Sequence, residues 1–235
     1  MKNLRTYAIL EYLKKKKRCT HAELMARFAV SSATIHRDIA ELVSRNAVER
    51  VRGGIVFADA PQAKPGGVAY QDRVIANSAA KERIAGKALK LVAEGDILFL
   101  DSSTTVFAFA QRLRQADFDH LTILTNSVSI MQDFRKFPQH WVLIGLGGNY
   151  DPQLNSILGA AALQQLADFN ITKAFISGFG INDKTVTTNH ERQSELIKRV
   201  LDMAERRYLL IDRSKYGRTG LYRLSARGAF DAIVT

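Results

Sequence analysis

From Lys81 onward the chain alternates short apolar runs, rich in Val, Ile, Leu and Phe, with helix-patterned stretches. Few architectures accommodate that order. The candidate strands are 96–101, 121–125, 141–145, 173–178, 208–212 and 231–235, and helical patterns lie near 81–94, 104–115, 127–136, 158–168 and 191–206. Strands separated by whole helices cannot close as hairpins, so each helix must cross over a sheet face and return the next strand parallel to the last. The expected fold is α/β, a largely parallel sheet with helices packed on it.

The first 57 residues follow a different pattern. A helix is expected over 3–17, with Ile9, Leu10 and Leu13 on its apolar face. Thr20-His21-Ala22-Glu23 reads as a capping box that opens a second helix carrying Leu24, Met25 and Phe28. That helix stops at Ala29-Val30, and Ser31 caps a third. In the third helix Ile35, Ile39 and Leu42 make one buried stripe, while Ser32, Thr34, His36 and Arg37 occupy the other face. This is a helix-turn-helix pattern, whose last helix would set its N-terminal residues against base edges in a major groove. Val48 to Arg52, then Gly53-Gly54, then Ile55 to Phe57 read as a hairpin, the wing, with Arg50 and Arg52 placed to reach phosphates. The same pattern also suits a plain protein-interaction module, in which Arg37 pairs with Asp38 or Glu41 and His36 is a solvated surface residue.

Charge bears on the choice. The net charge is +11, and residues 1–60 hold 12 Lys/Arg against 6 Asp/Glu, whereas residues 61–235 hold 22 against 17. The basic excess is densest at the N-terminus, as a polyanion binder requires. A general polyanion or membrane-surface binder using the basic run 14–18 remains an alternative. The one cysteine, Cys19, rules out an intrachain disulfide and a Cys-clustered zinc site. No apolar run approaches the ~18 residues of a membrane span, and Glu11 with the following basic run interrupts any signal peptide. A cytoplasmic protein without metal or cofactor is expected. Pro61, Pro65, Gly66 and Gly67 mark a linker, giving a winged domain over 1–57, a linker over 58–79 and a second domain over 80–235.

In the second domain the turns after the candidate strands are polar or glycine-rich. They are Asp101-Ser102-Ser103-Thr104-Thr105, Thr125-Asn126-Ser127, Gly145-Leu146-Gly147-Gly148 and Asp212-Arg213-Ser214-Lys215-Tyr216-Gly217. Hydroxyls and free N–H groups at a helix N-terminus suit a phosphate, glycine lets backbone approach a ligand, and Lys215 adds charge. Turns at the carboxyl ends of parallel strands converge on one crevice. Each feature also has a plainer reading, as a helix cap or a solvated lysine.

The stretch Val30-Ser31-Ser32-Ala33-Thr34-Ile35-His36-Arg37-Asp38-Ile39, followed by Arg50-Val51-Arg52-Gly53-Gly54, resembles the DNA-binding signature of DeoR-family bacterial transcriptional regulators. The second-domain turns, with Lys81, Ile84 and Ala85 ahead of them, are similar in order to that family's sensor domain, so the resemblance covers nearly the whole chain. It implies a winged helix-turn-helix joined to a Rossmann-like sensor akin in fold to ribose-5-phosphate isomerase and the coenzyme A transferases. It also implies operator contacts at Ser31, Ser32, Thr34, His36, Arg37, Arg50 and Arg52. A phosphorylated sugar or related metabolite would be held by Asp101, Ser103, Thr104, Thr105, Asn126, Gly148 and Lys215.

The chain departs from the family at His36, where arginine is usual, at Ser103, where glycine is usual, and by stopping at Ile233-Val234-Thr235, shortly before such proteins normally end. A neutral imidazole grips guanine or phosphate less firmly than a bidentate guanidinium. The expected function is a regulator, in the family's commoner mode a repressor, of a carbohydrate-metabolism operon, binding duplex DNA as a dimer or tetramer. The competing reading is a sugar-phosphate isomerase with an appended DNA-binding module, with Asp101 as base and Lys215 as electrophile.

Overall fold

The computed structural model describes residues 2–44, 48–51, 53–57 and 70–235. The chain divides into two compact units, Met1–Asp72 and Arg73–Thr235.

The first unit runs α1 (Lys2–Lys16), β1 (Arg18–Thr20), α2 (His21–Phe28), α3 (Ser32–Ser44), β2 (Val48–Val51) and β3 (Gly54–Phe57). The Thr20 capping box forms in full: the Glu23 N–H donates to Thr20 Oγ1 at 3.2 Å and the Thr20 N–H donates to Glu23 Oε2 at 2.8 Å. Ala29 ends α2 in the left-handed conformation, φ 49°. Ser31 accepts from the Thr34 N–H through its backbone carbonyl at 3.1 Å. Ile9, Leu13, Leu24, Ile35, Ile39, Leu42 and Ile55 are buried together. The expected hairpin forms out of the expected register: Val51 pairs with Gly54, so Gly54 begins β3 instead of lying in the turn. The extended piece β1 adds a third strand, pairing Cys19 with Ile55. A Cβ on Gly54 would stand 2.3 Å from the Cys19 carbonyl oxygen, so only glycine lets the two strands approach.

Of the expected linker 58–79, residues 58–69 lie outside the described residues. The rest departs from the expectation, because residues 70–75 form α4 (Tyr70–Ile75) and Ser78 already opens α5 (Ser78–Leu89). Linker composition is confined to Pro61–Gly67 in the sequence, and beyond it Tyr70, Val74 and Ile75 restore apolar spacing.

The second unit continues β4 (Ile97–Leu100), α6 (Thr104–Leu113), β5 (Thr122–Thr125), α7 (Val128–Asp133), β6 (Val142–Gly145), β7 (Asn149–Asp151), β8 (Ser156–Leu158), α8 (Ala160–Leu166), β9 (Ile171–Ile176), β10 (Gly180–Ile181), β11 (Thr185–Thr188), α9 (Glu191–Met203), β12 (Ala204–Leu210), β13 (Tyr222–Ala226) and β14 (Ala232–Val234). The six expected strands form one sheet, in the order β14-β12-β9-β4-β5-β6, and every pair is parallel. Alternation along the strands sends side chains to opposite faces. Leu98, Leu100, Ile123, Phe175, Tyr208 and Leu210 join the cluster holding Phe109 of α6 and Ile84 of α5. Phe99, Leu124, Ala174, Ile176 and Leu209 join the other, with Leu166 of α8 and Ile197 of α9. Strand order runs outward from β4 on one side as β5, β6 and on the other as β9, β12, β14, which puts the topological switch point between β4 and β9.

Two elements go beyond the expected pattern. β7 and β8 form an antiparallel pair after β6, and β10-β11-β13 form a small antiparallel sheet after β9.

Candidate functional site

The DNA-reading candidates cluster on the first unit. Ser31, Ser32, His36 and Arg37 are exposed and Thr34 half-exposed on the leading part of α3, and Arg50 is exposed on β2. Arg52 lies outside the described residues. The alternative pairing of Arg37 with Asp38 does not occur: Asp38 is fully buried and takes a two-pronged contact from Arg5, whose Nε and Nη2 donate at 2.6 and 3.2 Å. Arg37 is exposed and takes part in no ion pair among the described residues. The His36 ring lies against His21, the first residue of α2, with centroids 4.7 Å apart.

The effector candidates gather at the carboxyl end of the parallel sheet. Asp101 follows β4 and is fully buried; Oδ1 accepts from the Ser103 N–H and Oδ2 from the Ser177 N–H, each at 2.8 Å. Ser177 follows β9, so this one carboxylate ties both lips of the switch point together. Burial pushes the Asp101 carboxyl up to about 6, against the pull of its bonds to Ser103 and Ser177 and of the Arg73 charge. The Ser103 hydroxyl caps α6 by accepting from the Val106 N–H at 3.2 Å, while Thr104 and Thr105 start the helix, where the first N–H groups have no intrahelical carbonyl to meet.

Asn126 after β5 is fully buried. Its amide nitrogen donates to Ser156 Oγ at 2.8 Å and faces the Ile157 carbonyl, a pure acceptor, which fixes the orientation of the amide. Its Oδ1 is buried with no partner among the described residues. Gly148 has φ 144°, and a Cβ there would stand 2.7 Å from the Leu158 carbonyl oxygen and 3.2 Å from the Ile157 side chain. Asn126 and Gly148 thus both meet β8, which the sequence reading missed.

Lys215 sits on the turn after β12, half-buried, its Nζ 5.9 Å from the centre of the Phe179 ring. Burial draws its pKa down; Asp212 opposes this, and Arg218 and Arg73 add to it. Two neighbouring cations were not among the expected effector residues, although Lys81 stands in the stretch that carries the family resemblance. Lys81 is almost fully buried and donates to the carbonyls of Arg73, Val74 and Ala76. Burial holds it down at about 8, with Asp212 opposing and Lys215 and Arg73 reinforcing. Arg73 donates from Nη2 to the Gln153 carbonyl at 2.8 Å. Its charge acts on Lys81, Asp101, Lys215 and also His190, whose pKa burial lowers against the charge of Asp151.

Lys81 could have been found from the sequence, because it shares a helix phase with Ile84, Ala85 and Ala88, all buried. Nothing local marks Arg73 or His190. A cavity of about 310 Å³ opens beside Tyr150, Asp151, Gln153 and Arg192. Another of about 440 Å³ lies beside Arg83, Lys87, Asp212 and Arg213. Among the described residues no three His, Cys, Asp or Glu side chains form a metal cluster, and no helix is long and apolar enough to cross a membrane.

Residues 5–60 match the family model described as the DeoR-like helix-turn-helix domain, and residues 76–235 match the DeoR C terminal sensor domain. The HTH-type transcriptional regulator IolR of Bacillus subtilis is 32% identical over 100% of this chain and 91% of its own length. The glycerol-3-phosphate regulon repressor of Escherichia coli is 27% identical over 97% of this chain and 88% of its own. Among solved structures, ribose 5-phosphate isomerase A from Methanocaldococcus jannaschii superposes with a TM-score of 0.43 at 17% identity, covering 60% of this chain and 55% of that one.

Proposed function

The chain belongs to the DeoR family of DNA-binding transcriptional regulators, and on that premise we propose that it represses a carbohydrate-metabolism operon under the control of a phosphorylated sugar or related metabolite. The observation that carries the effector half is the gathering of like charge at the carboxyl end of the sheet. Beyond burial, Lys215 and Arg73 lower the pKa of Lys81, Arg218 and Arg73 lower that of Lys215, and Asp212 is the acid that counters both shifts. Cations held together against their own repulsion and against burial favour an anion among them. The N-terminus of α6 adds N–H groups without intrahelical partners at the end of β4, across β9 from β12. The orphan Asn126 Oδ1 leaves a buried acceptor for a ligand hydroxyl, so the site suits a molecule that carries both phosphate and hydroxyl groups. The name of the glycerol-3-phosphate regulon repressor agrees with that chemistry.

In this reading Ser103, Thr104, Thr105, Asn126, Gly148 and Lys215 meet the effector, Asp101 shapes the site through the Ser103 and Ser177 N–H groups it holds, and Ser31, Ser32, Thr34, His36, Arg37, Arg50 and Arg52 meet the operator. One winged domain spans a short half-site, so the working form in the cytoplasm is a dimer or tetramer. Effector binding shifts the population of arrangements in which paired winged domains fit their half-sites.

Catalysis is disfavoured by Asp101 itself, since both oxygens are engaged by backbone N–H groups and the side chain has no exposed surface. The test is a thermal-shift screen of sugar phosphates against the same sugars without phosphate, with DNA binding measured in parallel. A phosphorylated ligand that raises the melting temperature and changes operator affinity is expected. Turnover of an aldose or ketose phosphate that depends on Asp101 would overturn the reading.

A further inference from the structure

His21 and His36 belong to different helices, yet their rings meet at 4.7 Å with a 54° tilt. His36 is exposed on the leading part of α3, and His21 is half-buried at the start of α2, directly after the Thr20 cap. Burial holds His21 below the usual histidine range, and the charges of His36 and Arg50 push the same way. Its Nε2 is buried with no partner among the described residues, so the ring meets its neighbour by packing rather than by an ion pair.

Such packing has a consequence for reading DNA. An exposed imidazole samples several staggered rotamers, and its two ring nitrogens differ in donor and acceptor role. A single directed hydrogen bond to a base edge therefore needs the ring held in one orientation. A guanidinium, the family's usual group at this place, offers a fork of donors and depends less on a neighbour for its aim.

We propose that His21 is a positioning residue for operator recognition: its ring braces the His36 imidazole on the leading face of α3 and so sets the preference at one base of the half-site. The inference rests on the reading of α3 as the helix that enters the major groove. Thr20 and Glu23 fix where α2 begins, and Ala29 fixes where it ends, so the position of His21 relative to α3 is built into the helix pair.

The test uses the full chain and a randomised duplex DNA library, sequenced after selection, with affinities at two salt concentrations. His36→Ala is expected to flatten the preference at one position of the half-site. His21→Ala should flatten the same position by about three- to tenfold, the range of a single net hydrogen bond, and leave the other positions and the salt slope unchanged. His21→Phe keeps a ring against His36 and should restore most of the preference. An unchanged preference in His21→Ala overturns the inference. So does a uniform loss across all sequences with a shallower salt slope, which would make His21 a phosphate contact. A wild-type chain that selects no sequence overturns the operator reading itself, and is distinguished by the first measurement.

Discussion

Asp101→Asn sets two physical effects against each other. The carboxylate accepts one backbone N–H on each oxygen, from Ser103 and Ser177, both at 2.8 Å. Asparagine keeps one acceptor and turns a donor toward the other N–H, so counting hydrogen bonds alone gives a loss of about 2–4 kcal/mol. Burial acts the other way. A carboxyl held at about 6 in place of the ordinary 3.8 binds its proton about 3 kcal/mol more tightly in the folded chain than in the unfolded one, with both bonds already included. Between about pH 4 and pH 6 the folded chain therefore carries a proton that the unfolded chain has released. That stabilisation is fully present below the unfolded pKa and is lost as pH rises through the folded one. Asparagine cannot ionise and does not share the loss.

The measurement is guanidinium unfolding of both full chains at several pH values from about 4 to 7. It is followed by fluorescence of Trp141, the single tryptophan, which is buried in the second unit with its indole N–H on the Phe118 carbonyl at 2.9 Å. The advantage of the wild type over the variant should shrink by up to ~3 kcal/mol across that range. Parallel profiles would refute the argument and show that the two N–H bonds, not burial, govern this carboxyl.

Ala29→Gly should stabilise the winged unit by about 1 kcal/mol, because the C-cap of α2 sits at φ 49° where a Cβ is disfavoured; circular dichroism melting of the full chain reads it, and a lowered melting temperature would count against the cap geometry. Gly54→Ala should part β1 from β3, since its Cβ would lie 2.3 Å from the Cys19 carbonyl oxygen, costing about 2 kcal/mol or more and weakening DNA binding by loss of the wing; unchanged operator affinity would sink it. Lys215→Ala should abolish the thermal shift caused by a phosphorylated effector while leaving operator affinity in its absence unaltered; a full shift in the variant would remove Lys215 from the site.

The centre of the six-stranded sheet was legible because β4, β5 and β9 are largely buried on both faces and so are written as near-continuous apolar runs between helices. The antiparallel pieces were not. Thr185–Thr188 carries one aliphatic residue, and β13 pairs with it across more than thirty intervening residues, so neither element announces itself locally. The winged unit was legible to the level of its caps, since Thr20 and Ser31 act on residues within a few positions of themselves. β1 was hidden because its pairing depends on Gly54 arriving from far along the chain. The candidate effector site divides in the same way. Ser103, Asn126, Gly148 and Lys215 could be picked out as polar or glycine residues directly after apolar runs. Arg73 fell inside the expected linker, and His190 looked like any residue ahead of a helix. What joins them is the insertion of β9 beside β4, which makes the switch point and lets Asp101 reach the Ser177 N–H. Strand order is a property of the whole sheet, and no window of sequence contains it. The polar turns therefore come to flank one switch point only when the crossover after β6 is known to return to the centre of the sheet.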